Sequence, residues 1–246
     1  MNMNKSNSFE ELLIENDYPG RGIMIGQTKN GSQAVFCYFI MGRSPNSRNR
    51  IFKETGDDVM IKPYDETKVE DPSLIIYYPV RKYGDKWIVT NGDQTDTIVN
   101  FLENDKTFED ALLTRKFEPD SPNWTPRISS IINLNTDPVF NIGFTYKMSI
   151  LKCLDDEGKR CGRFFYDYES IRGKGHFIHT YEADGNPLPT FIGEPETVEI
   201  GDDIEEFGNS VWKALNSDNK ISMHISYIDL STNERKSLTF NKNLEG

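Results

Sequence analysis

Two apolar runs near the start of the chain, GIMIGQ at 22–27 and QAVFCYFIMG at 33–42, constrain the fold more than any other feature. Between them lies KNG at 29–31, whose Asn-Gly pair is a strong hairpin turn signal. A strand with one wet face alternates polar and apolar residues, and these runs hardly alternate. Both faces of the hairpin are therefore expected to be covered. A chain that opens this way needs further layers on either side of its first sheet.

The rest of the chain supplies candidates for those layers. Ser8 and Glu11 in SFEE make a capping-box pattern for a short helix through Ile14, which YPGR at 18–21 breaks. Residues 43–50 read as a polar loop. Residues 74–80 and 86–90 read as a strand pair turned at 83–85. A helix begins near Thr95, with Ile98, Phe101 and Leu102 on one face. A second runs from Thr107 to about Phe117, and a loop with three prolines fills 118–126. Strands are expected at 128–134, 147–154, 163–168 and 176–182. A late helix over 203–217 carries the stripe Ile204, Phe207, Val211 and Leu215. A final hairpin pairs 221–230 with 236–241. Strands in hairpins with helices grouped apart indicate an α+β fold with antiparallel sheets. The expected organisation is one domain over 1–246, two stacked sheets with helices outside, 1–17 forming an N-terminal extension.

Composition narrows the function. A hydrophobic content of 36% with 12% aromatic residues is that of a globular chain. The longest apolar stretch, AVFCYFIM at 34–41, has strand length and cannot span a bilayer. The opening MNMNKSNSFEE lacks the apolar region of a signal peptide, so a cytoplasmic location is expected. Three cysteines, Cys37, Cys153 and Cys161, with no CxxC spacing argue against a disulfide framework or a thiolate zinc site. A net charge of −11 argues against nucleic-acid binding, which needs a basic face. A small anionic ligand would need a local positive cluster.

RSPNSRNR at 43–50 is such a cluster, with Arg43, Arg48 and Arg50 and no carboxylate. Arginine forks match phosphate oxygens bidentately. TNGDQTDTI at 90–98 sets short polar side chains, among them Asn91, Asp93 and Thr95, at a strand-to-helix junction. Backbone N–H groups there favour anions or carbonyl oxygens, although capping alone would also use such residues. EPDSPNWTPR at 118–127 holds Glu118, Asp120 and Arg127 on a proline-stiffened segment. They could act as base and electrostatic stabiliser or as a structural ion pair. His176 and His179 fall on a predicted strand, facing opposite sides, so no shared metal site is expected. HExxH, GxSxG, the Walker A pattern and GxGxxG are all absent, and no metal or cofactor is expected.

Taken in order, YPGR at 18–21, GRSPNSRNR at 42–50, IYY at 76–78, TNGDQTDTI at 90–98 and TPRI at 125–128 resemble the archaeal-type IMP cyclohydrolase family, in a bacterial branch of it. The resemblance spans roughly residues 18–200. It implies a four-layer αββα sandwich similar to N-terminal nucleophile hydrolases. It also implies a cofactor-free closure of 5-formamidoimidazole-4-carboxamide ribotide to IMP with loss of water, in purine biosynthesis, by a homo-oligomer. Neither Met1 nor Asn2 is the Ser, Thr or Cys that such hydrolases use, so their amide-cleaving chemistry is expected to be missing. The resemblance puts a tyrosine of LIIYYP at the reacting centre, Tyr77 first and Tyr78 as substitute. Arg127 would stabilise the oxyanion and Glu118 or Asp120 would be the carboxylate. Arg43, Arg48 and Arg50 would bind phosphate and substrate, and Asn91, Asp93 and Thr95 the base or ribose. Archaeal members carry a lysine and a glutamate before TPRI where this chain has EPDSPNW. Two other readings remain: an amidohydrolase or cyclase on a related ribotide, and a non-catalytic nucleotide-binding protein.

Overall fold

The chain reverses at Asn30 and Gly31, as the turn signal predicts, with Gly31 at a left-handed φ of 76°. The computed structural model describes residues 7–69, 77–134 and 143–245. In it β1 (Arg21–Gln27) and β2 (Gln33–Met41) pair antiparallel, with Met24 opposite Cys37. Every residue after the first in each strand is buried, so both faces are covered. The other edge of β1 takes β10 (Lys174–His179), and that of β2 takes β12 (Lys220–Asp229). With β11 (Glu196–Glu199) and β13 (Arg235–Asn241) outside, the sheet has six strands in the order β11-β10-β1-β2-β12-β13.

The second sheet is an antiparallel meander of seven strands in chain order. They are β3 (Arg50–Thr55), β4 (Asp58–Pro63), β5 (Val80–Tyr83), β6 (Lys86–Thr90), β7 (Arg127–Asn133), β8 (Thr145–Cys153) and β9 (Cys161–Glu169). The two-residue period of a strand sorts the side chains of both sheets. Ile23, Ile25, Phe36 and Tyr38 of the first sheet meet Ile61, Trp87, Val89 and Ile128 of the second in one cluster. On the other face of the first sheet, Met24, Cys37 and Phe39 join Phe9 of α1 (Phe9–Glu15) and Phe207 and Val211 of α5 (Ile204–Ala214). Ile88, Ile131 and Leu151 of the second sheet pack on α3 (Gln94–Glu103) and α4 (Phe108–Leu113) through Ile98, Phe108 and Leu112. Each such side chain, fully buried, contributes about 1.5–3 kcal/mol, which draws both faces of the hairpin inward. The α1 segment belongs to this packing: the Phe9 and Phe177 rings stand 4.8 Å apart.

The fold is α+β with two antiparallel sheets and few helices, as expected. Five local readings change. Residues 50–63 form the β3–β4 hairpin, turned at Gly56 with φ 62°, which the sequence did not suggest. The polar loop at 43–50 contains one helical turn, α2 (Pro45–Arg48), capped by the Ser44 hydroxyl on Ser47 N–H. The strand predicted at 74–80 has 74–76 outside the described residues. Tyr77, Tyr78 and Pro79 precede β5, since proline has no N–H for the ladder. The helix predicted to Phe117 ends at Leu113, and the strand predicted to 182 ends at His179. Among the described residues no helix is long and apolar enough to cross a membrane.

Candidate active site

Strand ends from both sheets meet at one side of the molecule. β1 starts at Arg21, β2 ends at Met41, β3 starts at Arg50, β7 starts at Arg127, and Tyr181 follows β10. Gly20 makes the entry to β1 possible. It sits at φ 78°, where a Cβ would lie 2.5 Å from the Tyr181 ring. The cavity between these ends holds about 290 Å3 and is walled by Arg21, Arg43, Ser47, Arg50, Thr125 and Tyr181, among others.

The Arg21 side chain is only 16% exposed, and its nearest acidic oxygen is Glu118 Oε2 at 3.8 Å. Arg21 Nε is buried with no hydrogen-bond partner. Leaving such a donor unmet costs about 1–3 kcal/mol, more for a charged group. Burial works against the Arg21 charge, but Glu118 and the surrounding phenols together outweigh it and hold the pKa above its ordinary value. The Glu118 pKa is raised as well, but here burial is the cause and disfavours the charge, although Arg21 and Arg127 pull it down.

Arg50 is 2% exposed and donates Nε–H to the Ser47 carbonyl at 2.7 Å. Burial and then repulsion by Arg21 lower its pKa. Arg21, Arg50 and Glu118 thus act on one another through their charges, and Asp120 acts on Glu118 as well. Tyr38 and Tyr77 lie beside both arginines, their hydroxyls 3.1 Å apart. Burial raises both phenol pKa values, so both stay protonated near neutral pH.

Asp120 holds the opposite wall. Its two oxygens accept from Thr125 N–H at 2.7 Å and Thr125 O–H at 2.5 Å. The Thr125 hydroxyl also meets Tyr181 O–H at 2.5 Å. Both Asp120 oxygens are therefore engaged in shaping the loop, and Glu118 is the freer carboxylate.

The TNGDQTDTI segment divides its residues. Asn91 donates to the Pro126 carbonyl at 2.8 Å and accepts from Gln94 and Ile128 N–H, so its amide is taken up by scaffold. Thr95 is buried against Thr90 and the Gly92 carbonyl. Asp93 sits at the N-cap of α3 without capping it. Its carboxylate pairs instead with Arg127 at 2.8 Å and with Arg115. Arg127 Nη1 also donates to Gln94 at 2.6 Å. Asp93 and Gln94 thus fix Arg127, whose charge acts on Glu118.

Arg43 stands at the rim, over the Tyr18 ring at 5.0 Å and paired with Asp184 at 2.5 Å. Arg48 leaves the group. Its Nε donates to the Gly42 carbonyl, and its side chain lines a separate cavity with Lys220 and Lys242. Residues 45–48 form a helical turn, which sends Arg48 to the side away from Arg50. Tyr78 faces Arg81, whose guanidinium lies 5.4 Å above its ring. His176 bonds Tyr146 O–H at 2.6 Å, while His179 meets the Tyr181 carbonyl and Glu196. Among the described residues no group of three or more His, Cys, Asp or Glu could hold a metal ion.

In the sequence Arg21 stands only as part of the YPGR block, and no motif assigns a role to Tyr38, Tyr181 or Thr125. The signal for Tyr38 was slight: one phenol in an apolar run, on the same strand face as Phe36 and Ile40.

A sequence profile described as IMP cyclohydrolase-like protein matches residues 18–234. The chain is 35% identical over 171 residues to the IMP cyclohydrolase of Methanococcus maripaludis strain S2, covering 68% of this chain and 75% of that protein. It is 32% identical over 123 residues to that of Methanococcus aeolicus, covering 48% of this chain and 60% of the relative. To that of Methanocella arvoryzae it is 36% identical over 121 residues, covering 47% and 58%. The chain thus spans about three fifths of the length of some relatives it matches.

Proposed function

The chain belongs to the IMP cyclohydrolase-like family, and we propose that it closes the purine ring, converting 5-formamidoimidazole-4-carboxamide ribotide to IMP and water. The observation that carries this reading is the pair of buried guanidiniums, Arg21 and Arg50, packed around Glu118 and the Tyr38–Tyr77 phenols with Arg21 Nε unpartnered. Such a cluster is poised for an anionic ligand that develops further negative charge as it reacts.

The carboxamide nitrogen and the formyl carbon already stand close in the substrate, so proximity is largely in place. Glu118 takes the proton from the carboxamide nitrogen as it attacks the formyl carbon. The formyl oxygen gains negative charge, which Arg21 and Arg127 stabilise, and Tyr77 donates a proton to it. The resulting hydroxyl takes the proton held by Glu118 and leaves as water, while the former formamide nitrogen gives its proton to the Tyr77 phenolate and the new C–N bond becomes part of the ring amidine. Arg43 and Arg50, with Ser44 and Ser47, hold the phosphate. Asp93 orients Arg127, while Asn91 and Thr95 brace the wall instead of touching base or ribose. Two facing sheets with helices outside also support likening the fold to N-terminal nucleophile hydrolases, without their nucleophile.

Ultraviolet absorbance tests the reading: the purified protein forms IMP from the formamido ribotide. Hydrolysis to the aminocarboxamide would place it instead among ribotide amidohydrolases, and binding without turnover among nucleotide-binding proteins.

A further inference from the structure

A second cavity, of about 230 Å3, lies on the far side of the 42–50 loop and is lined by Arg48, Lys220 and Lys242, with Asp218 and Asn243. The three cations are anchored to carbonyls. Arg48 Nε donates to Gly42 O at 3.1 Å. Lys220 Nζ donates to Trp212 O at 2.8 Å and lies 4.2 Å above that residue's ring. Lys242 Nζ donates to Ser217 O at 2.6 Å and to Asp218 O at 3.3 Å. Among the described residues none of the three forms an ion pair.

Carbonyl contacts orient these groups without neutralising them. An ammonium carries three donors and a guanidinium five, so each cation keeps N–H groups for a ligand. Burial lowers the Lys220 pKa; Glu245 opposes this and Lys242 adds to it. Glu245 itself is bonded to Trp212 Nε1 at 2.7 Å. Three cations against one carboxylate, Asp218, line this cavity in a chain of net charge −11, an arrangement that an anion relieves.

We propose that Arg48, Lys220 and Lys242 form a second anion site that takes a phosphate group, as inorganic phosphate or as the phosphate of a small monoester. The site is separate from the Arg21–Arg50 cavity and does not depend on the reaction assigned there. The loop stands between the two: Asn243 donates to the carbonyls of Arg48 at 2.8 Å and of Arg50 at 3.3 Å.

Isothermal titration at low ionic strength tests this, with inorganic phosphate and with AMP as probes. Two classes of site are expected for at least one probe, and the tighter probe at the second class identifies the source. The double substitution Lys220→Gln, Lys242→Gln should weaken one class by about tenfold or more and spare the other, as expected when charge-assisted contacts are lost. Arg21→Gln should do the reverse. Arg48→Gln, on an exposed side chain, gives the same readout should the double variant fold poorly. A single class, or two classes unaffected by these lysine and Arg48 substitutions, would overturn the proposal.

Discussion

Arg21, in the wall of the cavity, and Glu118 face each other at 3.8 Å, too far apart for a hydrogen bond. A pair left at this distance is open to a third group, and Arg21 Nε remains without a partner. A ligand that reaches both completes the cluster.

The arginines should differ in their effect on binding. Arg50 is buried and aimed at the cavity, whereas Arg43 is half-exposed and already paired with Asp184. Loss of a charge-assisted contact to a remote phosphate acts on ground state and transition state alike. Arg50→Met should raise KM by about one to two orders of magnitude with kcat little changed. Arg43→Ala should raise it by less than about tenfold. Steady-state kinetics on both variants checks the order.

Tyr77→Phe removes only a hydroxyl that meets Tyr38 at 3.1 Å, so the fold should persist. A phenol that donates to the formyl oxygen matters most as charge develops. The substitution should lower kcat by about 10²-fold with little change in KM. Near-native kcat would remove Tyr77 from the mechanism.

Gly92 keeps the space that Arg127 needs. A Cβ there would collide with Arg127 Nη1 and lie 2.6 Å from Gln94 Oε1. Gly92→Ala should displace the guanidinium and lower kcat by about tenfold or more, since such positioning is sensitive to shifts near 1 Å. Circular dichroism should show the fold retained.

His224 links stability to pH. It is fully buried, with Nε2 on the Ser226 hydroxyl and Nδ1 on the Thr239 hydroxyl, both at 2.8 Å. Burial lowers its pKa to about 4, against the pull of Glu54. His176 is lowered by burial to about 4 as well. A neutral buried histidine binds fewer protons folded than unfolded, where its pKa is about 6.5. Its contribution is therefore full above about pH 6.5 and is lost as pH falls toward 4. Urea midpoints should drop across that window, and less steeply in His224→Gln. An unchanged slope would exclude this role.

The hairpins were legible because turns and periodicity are local. Asn30-Gly31 and Gly84 turn the chain where the sequence says they should, and the doubly buried β1 and β2 had no polar alternation to hide. The β3–β4 hairpin was not legible. Lys53 points outward, and Glu54, on the inner face with Phe52, is taken up by Ser237 and Thr239 of β13, so charged residues interrupt the apolar pattern on both faces. At the site, residue type singled out Arg50, Glu118 and Arg127, whose charges act on one another in the structure. It could not separate Arg48 from Arg50, because one turn of helix decides which side of the loop each takes. Nor could it tell that Asn91 and Thr95 are consumed by backbone contacts, or that Tyr38 reaches Tyr77 across the two sheets.

The central claim is that Glu118 serves as the base for ring closure, and the pH profile of IMP formation by wild type and Glu118→Gln tests it most directly. Burial raises the Glu118 pKa, so wild-type kcat should climb with pH along a limb centred above the ordinary glutamate value. Glu118→Gln should lose that limb and fall by about 10²–10⁴-fold in kcat while still binding IMP. Wild-type turnover and an unchanged limb in Glu118→Gln would contradict the account.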